Sequence, residues 1–481
     1  MMANELKLKR NMAFNATNGL LNIVFPLISF PYISRVLDVD ALGAYNYSNS
    51  IINYLIIFAG LGINGYAIRT GSVKRNNSSE LSKFVSEMFS ISIIASAVSY
   101  FFLFFCIVLF ANALSPYRYL LLIQSVAILS QAMGVFWIFN IFEDFRFVTL
   151  KNAVINGISV ILMLILIRSS EDIYVYAVIC SFTSLGSSLI NFFYARKRCH
   201  IHILFAIDWK QHIKPIIYFW ATALSVTVYV NSDVTILGAI SGDYYVGLYS
   251  VSTKIYTVLK NILSAAITVA IPRMSLLYGE HDLKKMNETA TEVFGVIIST
   301  VLPVMTGIFL FSQEIVLLVS GKEYLGASNS LVLLGICIIC YLFSYFYGQC
   351  ILVPVGKENI VFWSTMASAG INIFLNFLLI PYYRQDAAAF TSILGEGVAM
   401  IVAMVFARKY VIIANKWGVI LKTLIGCFGI GIISFFIKNM MANSILTLLI
   451  AALLSSVFYV CIETILKNET IYSITSRLLK K

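Results

Sequence analysis

GLYSVSTKIYTVLKNILSAAITVAIP, residues 247–272, reads as one long apolar helix, and it carries Lys254 and Lys260 near its middle. A run of this kind reaches the roughly 20 residues that a membrane-spanning helix needs. Similar runs recur from Met12 to Ile465, separated by mostly short connectors. Of the 481 residues, 59% are hydrophobic, 14% aromatic and 12% charged, far from the average of a soluble domain. Backbone groups in lipid must be satisfied within the segment, so these runs predict helices. The alternating segments of about 10 residues that mark a membrane β-barrel are absent. The pattern predicts an all-α polytopic membrane protein of about fourteen transmembrane helices. They run from 12–34 to 445–466, with 215–240 and 245–271 as spans 7 and 8 and 359–381 and 387–407 as spans 11 and 12.

The net charge of +11 invites a nucleic-acid reading, but the placement of the charges decides against it. Most of the 34 Lys and Arg fall in connectors on the side of the amino terminus, notably in residues 69–83 and 196–214. This is the positive-inside bias, and it predicts cytoplasmic amino and carboxyl termini in a cell inner (cytoplasmic) membrane. Such loops attract anionic headgroups, so membrane lipids are expected partners and nucleic acid is not. The start MMANELKLKR leads into a span longer than a signal-peptide core, so no cleavable signal is expected. Seven of the eight cysteines lie in predicted spans and Cys199 in a cytoplasmic connector, which argues against a disulfide framework. Cys337 and Cys340 have CxxC spacing but sit mid-helix without a partner pair, so they read as packing, and no metal site is expected. His200, His202, His212 and His281 read as solvated loop residues.

Gly43-Ala-Tyr45-Asn-Tyr-Ser48 and Gly247-Leu-Tyr249-Ser-Val-Ser252 share the pattern GxYxxS at an offset of 204 residues (247 − 43). The same offset carries Arg69 onto Arg273. GISVILMLILI from Gly157 matches GINIFLNFLLI from Gly370 at an offset of 213 (370 − 157). Two matches in the same order point to a six-helix duplication, and an even shift makes the halves parallel repeats. The expected domains are a six-helix lobe at 1–200, a second at 201–410, and two additional helices with a cytoplasmic tail at 411–481. Halves of this kind meet at a substrate cavity and rock about it, so the architecture suggests a transporter.

Charges inside the spans narrow the reading. Asp233 in span 7, Lys254 and Lys260 in span 8, and Glu396 in span 12 each cost about 2.5–3.5 kcal/mol at a helix centre, so they should face protein or a watery cavity. Asp233 and Lys254 lie at similar depth and can pair, which would fix how spans 7 and 8 pack. Lys260 has no obvious carboxylate on the neighbouring span, so a hydrated cavity or an anionic ligand explains it better than snorkelling. Glu396, between Gly395 and Gly397, reads either as a protonatable or cation-binding group or as a hydrogen-bond partner of an adjacent helix. Pro26, Pro31 and Pro303 permit bends in spans 1 and 9.

FPLISFPYISRVLDVDALGAYNYSNSIINYLIIFAGLGINGYAIR, residues 25–69, resembles the opening of the O-antigen and capsular polysaccharide repeat-unit flippases, the Wzx-type members of the MATE-like MOP transporter superfamily. FEDFRF (142–147), VYVNSDVTILGAISGDYYVGLYSVSTKIY (228–256), IPRMSLL (271–277), VSGKEYLGAS (319–328) and VPVGKEN (353–359) continue the resemblance in order through about 410 residues. It implies two six-helix lobes that move an undecaprenyl-diphosphate-linked oligosaccharide from the cytoplasmic to the outer leaflet for surface polysaccharide assembly. On that reading Lys254 and Lys260 are the first substrate-binding candidates. Arg35, in the SRVL motif, Arg69 and Arg273 are weaker contacts at the span ends, and Arg35 reads equally as a headgroup anchor. Superfamily members use ion gradients, so Glu396 or Asp233 is expected to carry H+ or Na+. A polysaccharide polymerase and glycosyltransferases are the implied partner proteins. No P-loop is present, which excludes direct ATP hydrolysis, and neither a cofactor nor catalytic residues are expected. The nearest rival is a cation-coupled multidrug exporter of the same superfamily, which would favour an acidic cavity. A polymerase-type membrane enzyme would need larger loops than this chain provides.

Overall fold

The computed structural model describes residues 2–440 and 444–468, which form helices and short connectors with no strand among them. Among the described residues, thirteen helices are long and apolar enough to cross a membrane. In chain order they are α1 (Ala16–Val36), α2 (Val39–Lys74), α3 (Ser78–Leu109), α4 (Ala111–Phe142), α5 (Phe145–Leu166), α6 (Ser170–Ala195), α7 (Trp209–Ser241), α8 (Asp243–Gly279), α9 (Leu283–Ser320), α10 (Lys322–Leu352), α11 (Glu358–Ala407), α12 (Lys416–Met440) and α13 (Ser444–Ile465). Helix α11 accounts for the difference from fourteen. Its 50 residues would extend about 75 Å if straight, far beyond a hydrocarbon core of about 30 Å. The chain breaks at Arg384 (φ 54°, ψ −128°), just after Pro381, and the two arms on either side are spans 11 and 12.

The chain divides into two compact units, the first ending at Gly247 and the second starting at Leu248. In the first unit, α2 is interrupted by left-handed Leu61 and Gly62. A Cβ on Gly62 would lie 2.4 Å from the Trp220 nitrogen, and one on Gly65 would lie 2.7 Å from Phe219 Cδ1, so glycine lets the second arm of α2 touch the backbone of α7. A second close approach joins the two GxYxxS segments. A Cβ on Gly43 would sit 1.9 Å from the Asp243 carbonyl oxygen, and one on Gly247 would sit 2.0 Å from that of Val39. Because 39 + 204 = 243 and 43 + 204 = 247, the repeat offset maps this contact onto itself, as in an isologous interface.

The segment before α7 is strapped to α3 through its backbone, while the side chains of His200 and His202 are exposed. Ser82, Ser86 and Ser90 recur every fourth residue and so share one face of α3. Their hydroxyls accept from the backbone N–H groups of His200 (3.3 Å), His202 (3.4 Å) and Leu204 (2.8 Å), and Ser86 also donates to the His200 carbonyl. Cys199, expected in a solvated connector, is therefore buried, and burial pushes its thiol up to about 11. At pH 8 only about 0.1% of such a thiol is ionised. Cys199 should accordingly resist maleimide at pH 8 in the folded protein and react in denaturant, as read by mass spectrometry of the labelled peptide; rapid native labelling would contradict the strap.

In the second unit the bends of α9 find specific partners. Pro303 cannot donate to the Ser299 carbonyl, and the Tyr459 hydroxyl of α13 donates to it instead at 2.8 Å. The non-helical residue is Phe311, not Pro303. There Lys438 of α12 donates to the Leu310 carbonyl at 2.5 Å and pairs with Glu314 at 2.8 Å.

Candidate functional site

Lys260 and Glu396 both belong to the second unit, and the helices around them explain how each is tolerated. Lys260 lies on α8, half-buried, with its ammonium 4.6 Å from the ring centre of Tyr341 on α10 and 5.4 Å from that of Tyr256, one turn earlier on α8. Tyr256 is placed in turn by α10, where Cys337 Sγ lies 3.9 Å from its hydroxyl. Among the described residues no carboxylate comes within ion-pair distance of Lys260. A desolvated cation–π contact is worth about 2 kcal/mol, which offsets much of the cost of about 2.5–3.5 kcal/mol for a lysine at that depth. The ammonium is held by aromatic faces.

Glu396 is 8% exposed, on the second arm of α11. It reaches Lys260, Cys340 and Tyr341 through its electrostatic field. The two arms pack closely because Gly395 lacks a side chain: a Cβ there would lie 3.1 Å from Ser368 Oγ. Gly397 has open space around it, so only Gly395 serves the packing. Below Glu396 the arms share a buried polar ladder. Thr391 donates to Asn376 at 2.5 Å, Asn376 to Asn372 at 3.2 Å, and Asn372 to Ser392 at 3.5 Å. This ladder fixes the second arm and with it the position of the carboxylate.

The remaining candidates are distributed. Asp233, 8% exposed, lies on α7 in the first unit, and half-buried Lys254 lies on α8 in the second. Arg35 ends α1 and is exposed. Arg273 is exposed on α8. Arg69 is exposed, with its guanidinium 5.3 Å from the ring centre of Phe219.

Among the buried polar groups that the sequence does not announce are His212 and Lys151. His212, expected to be solvated, is 0% exposed. Its Nε2 lies 3.1 Å from the Glu87 carboxylate on α3 and its Nδ1 2.9 Å from the Tyr66 hydroxyl on α2, so both ring nitrogens have hydrogen-bond partners. The apolar run of span 7 starts at residue 215, whereas α7 itself starts at Trp209. Asp208 caps α7 by accepting from the Gln211 N–H, and the spacing Asp208-x-x-Gln211 is a helix-start signal that places His212 inside the helix. Lys151, at the end of a predicted span, is 8% exposed and donates to Ser187 at 2.6 Å and Asn191 at 2.9 Å on α6. No local sequence signal announces that arrangement, because its acceptors lie 36 and 40 residues away.

A sequence profile of the family described as "Polysaccharide biosynthesis protein" matches residues 8–277, more than half of the chain. A second profile, described as "MatE", matches residues 220–378. The "Putative O-antigen transporter" of Shigella dysenteriae is 24% identical over 371 residues, covering 75% of this chain and 90% of that protein. A protein of the same description from Escherichia coli (strain K12) is 21% identical over 424 residues, covering 85% and 99%. Among solved structures, "Lipid II flippase MurJ, inward closed conformation" superposes with a TM-score of 0.76 over 96% of this chain and 100% of that one. At 17% identity this is a likeness of fold.

Proposed function

The chain belongs to the polysaccharide biosynthesis protein family, and from that premise we propose that it flips an undecaprenyl-diphosphate-linked oligosaccharide across the cytoplasmic membrane for O-antigen or capsule assembly. It is a multi-pass membrane transporter in this reading, not an enzyme, with cytoplasmic termini and two six-helix repeats that alternate access. Lys260 carries the proposal: an intramembrane ammonium held by two tyrosine faces without an ion-paired carboxylate is suited to receive a diphosphate deprived of bulk water. Lys254 is the second substrate contact, and Arg35, Arg69 and Arg273 serve at the span ends. Glu396 and Asp233 are the groups that take up the coupling H+ or Na+, and a polymerase and glycosyltransferases are the partner proteins.

An apolar groove supports the lipid-linked character of the substrate. It encloses about 630 Å³ in the second unit, with Leu259 and Leu263 of α8, Pro303 and Gly307 of α9, Ile430 of α12 and Ala452 of α13 among its walls. Such walls suit part of a polyprenyl chain.

The deciding experiment reconstitutes the full-length protein in liposomes and follows loss of a fluorescent undecaprenyl-diphosphate disaccharide from the quencher-accessible leaflet. Translocation above empty vesicles is expected. Ethidium efflux without lipid translocation would replace this reading with the multidrug exporter. In the same vesicles Glu396→Gln is expected to weaken any dependence of translocation rate on external pH; an unchanged profile would remove Glu396 from proton coupling.

A further inference from the structure

A second cationic site, separate from the lysine cage, lies in the first unit. The second arm of α2 and the first turns of α7 border a pocket of about 640 Å³ lined by Arg69 and Lys214 together with Pro215, Ile217, Tyr218 and Phe219. The two cations are brought together by the packing of α2 on α7. Glycines 62 and 65 let the arm of α2 approach the backbone of α7. The buried bridge Tyr66–His212–Glu87 then fixes the register, since Tyr66 lies one turn before Arg69 and His212 two residues before Lys214. Arg69 is further held over Phe219.

Among the described residues, neither Arg69 nor Lys214 has an ion-pair partner. Beside them the wall is apolar and open: Ile217 is 52% exposed and Tyr218 74% exposed. Two uncompensated cations next to an exposed apolar wall, where the apolar segment of α7 begins, match an amphiphile with an anionic head. We propose that this pocket binds the phosphate of a membrane lipid between Arg69 and Lys214, with the start of its hydrocarbon chain against Ile217 and Tyr218. The inference goes beyond the transport reading, because this chemistry holds whatever the protein moves. Its lipid is either a bulk anionic phospholipid or a polyprenyl phosphate, and both offer the same head.

The test uses full-length protein in phosphatidylcholine nanodiscs titrated with phosphatidylglycerol, undecaprenyl phosphate or inorganic pyrophosphate, with binding read by native mass spectrometry. Arg69→Gln and Lys214→Gln should each weaken lipid binding about fivefold and the double variant about 25-fold, whereas Arg69→Lys should retain most of it. Tighter binding of undecaprenyl phosphate assigns the pocket to the transported lipid class, and equal binding assigns it to the bilayer; either supports the site. Wild-type affinity in the double variant, or pyrophosphate binding as tightly as the lipids, would overturn it. A diazirine-bearing phosphatidylglycerol keeps the test valid if the double variant misfolds: in wild-type protein it should label the peptide containing residues 214–219, and labelling only elsewhere would refute the proposal.

Discussion

Lys260→Ala is expected to abolish export, lowering surface polysaccharide by about a hundredfold or more in a flippase-deficient strain, with membrane levels of the protein unchanged. The two halves of that expectation have different physical origins. Under the proposed function, losing a cation that meets a desolvated diphosphate costs about 3 kcal/mol or more of substrate stabilisation, which is a hundredfold in affinity or rate. The fold loses at most about 2 kcal/mol of cation–π attraction, while the larger cost of keeping an ammonium in the membrane disappears. Stability should therefore hold or rise as activity falls. Lys260→Arg keeps both the charge and the aromatic contacts and should retain part of the activity. Normal surface polysaccharide from Lys260→Ala would remove this residue from the substrate path.

Gly43→Ala and Gly247→Ala should each destabilise the protein by about 3 kcal/mol or more. Each added methyl would fall within about 2 Å of a backbone carbonyl oxygen, Asp243 for one and Val39 for the other. A flexible neighbour can rotate away from such an intrusion, but a carbonyl in a helix can move only with its helix. The contact also maps onto itself at the repeat offset, so the two substitutions disturb one crossing and the double variant should lose less than the sum of the singles. Thermal unfolding followed by fluorescence-detected size exclusion in detergent measures this. Alanine variants that melt with the wild type would mean that the crossing is looser than described.

Much of the architecture was legible in the chain because the bilayer imposes one rule along the whole sequence. Apolar runs of spanning length must be helices, so the spans could be read without any knowledge of tertiary contacts. Even the reversal inside the 50-residue α11 was visible as two separate apolar runs on either side of Pro381 and Arg384. The isolated intramembrane charges were equally legible, since a bare Lys260 or Glu396 among apolar residues is costly wherever the helix ends up. The shared pattern GxYxxS was visible in the sequence, but not the fact that its two glycines abut at one crossing.

Composition and periodicity thus determined the helices and which charged residues need an explanation, while the resemblance to a family rested on its ordered motifs. Tertiary structure alone decided what explains them: Tyr341, 81 residues from Lys260 (341 − 260), supplies the aromatic face, and Glu87, 125 residues from His212, turns an apparently solvated histidine into a buried bridge. The reason is physical. Hydrophobic transfer is a property of each segment and accumulates along the chain, whereas the partner of a buried polar group is set by which helix faces meet, and that is fixed only when distant segments pack.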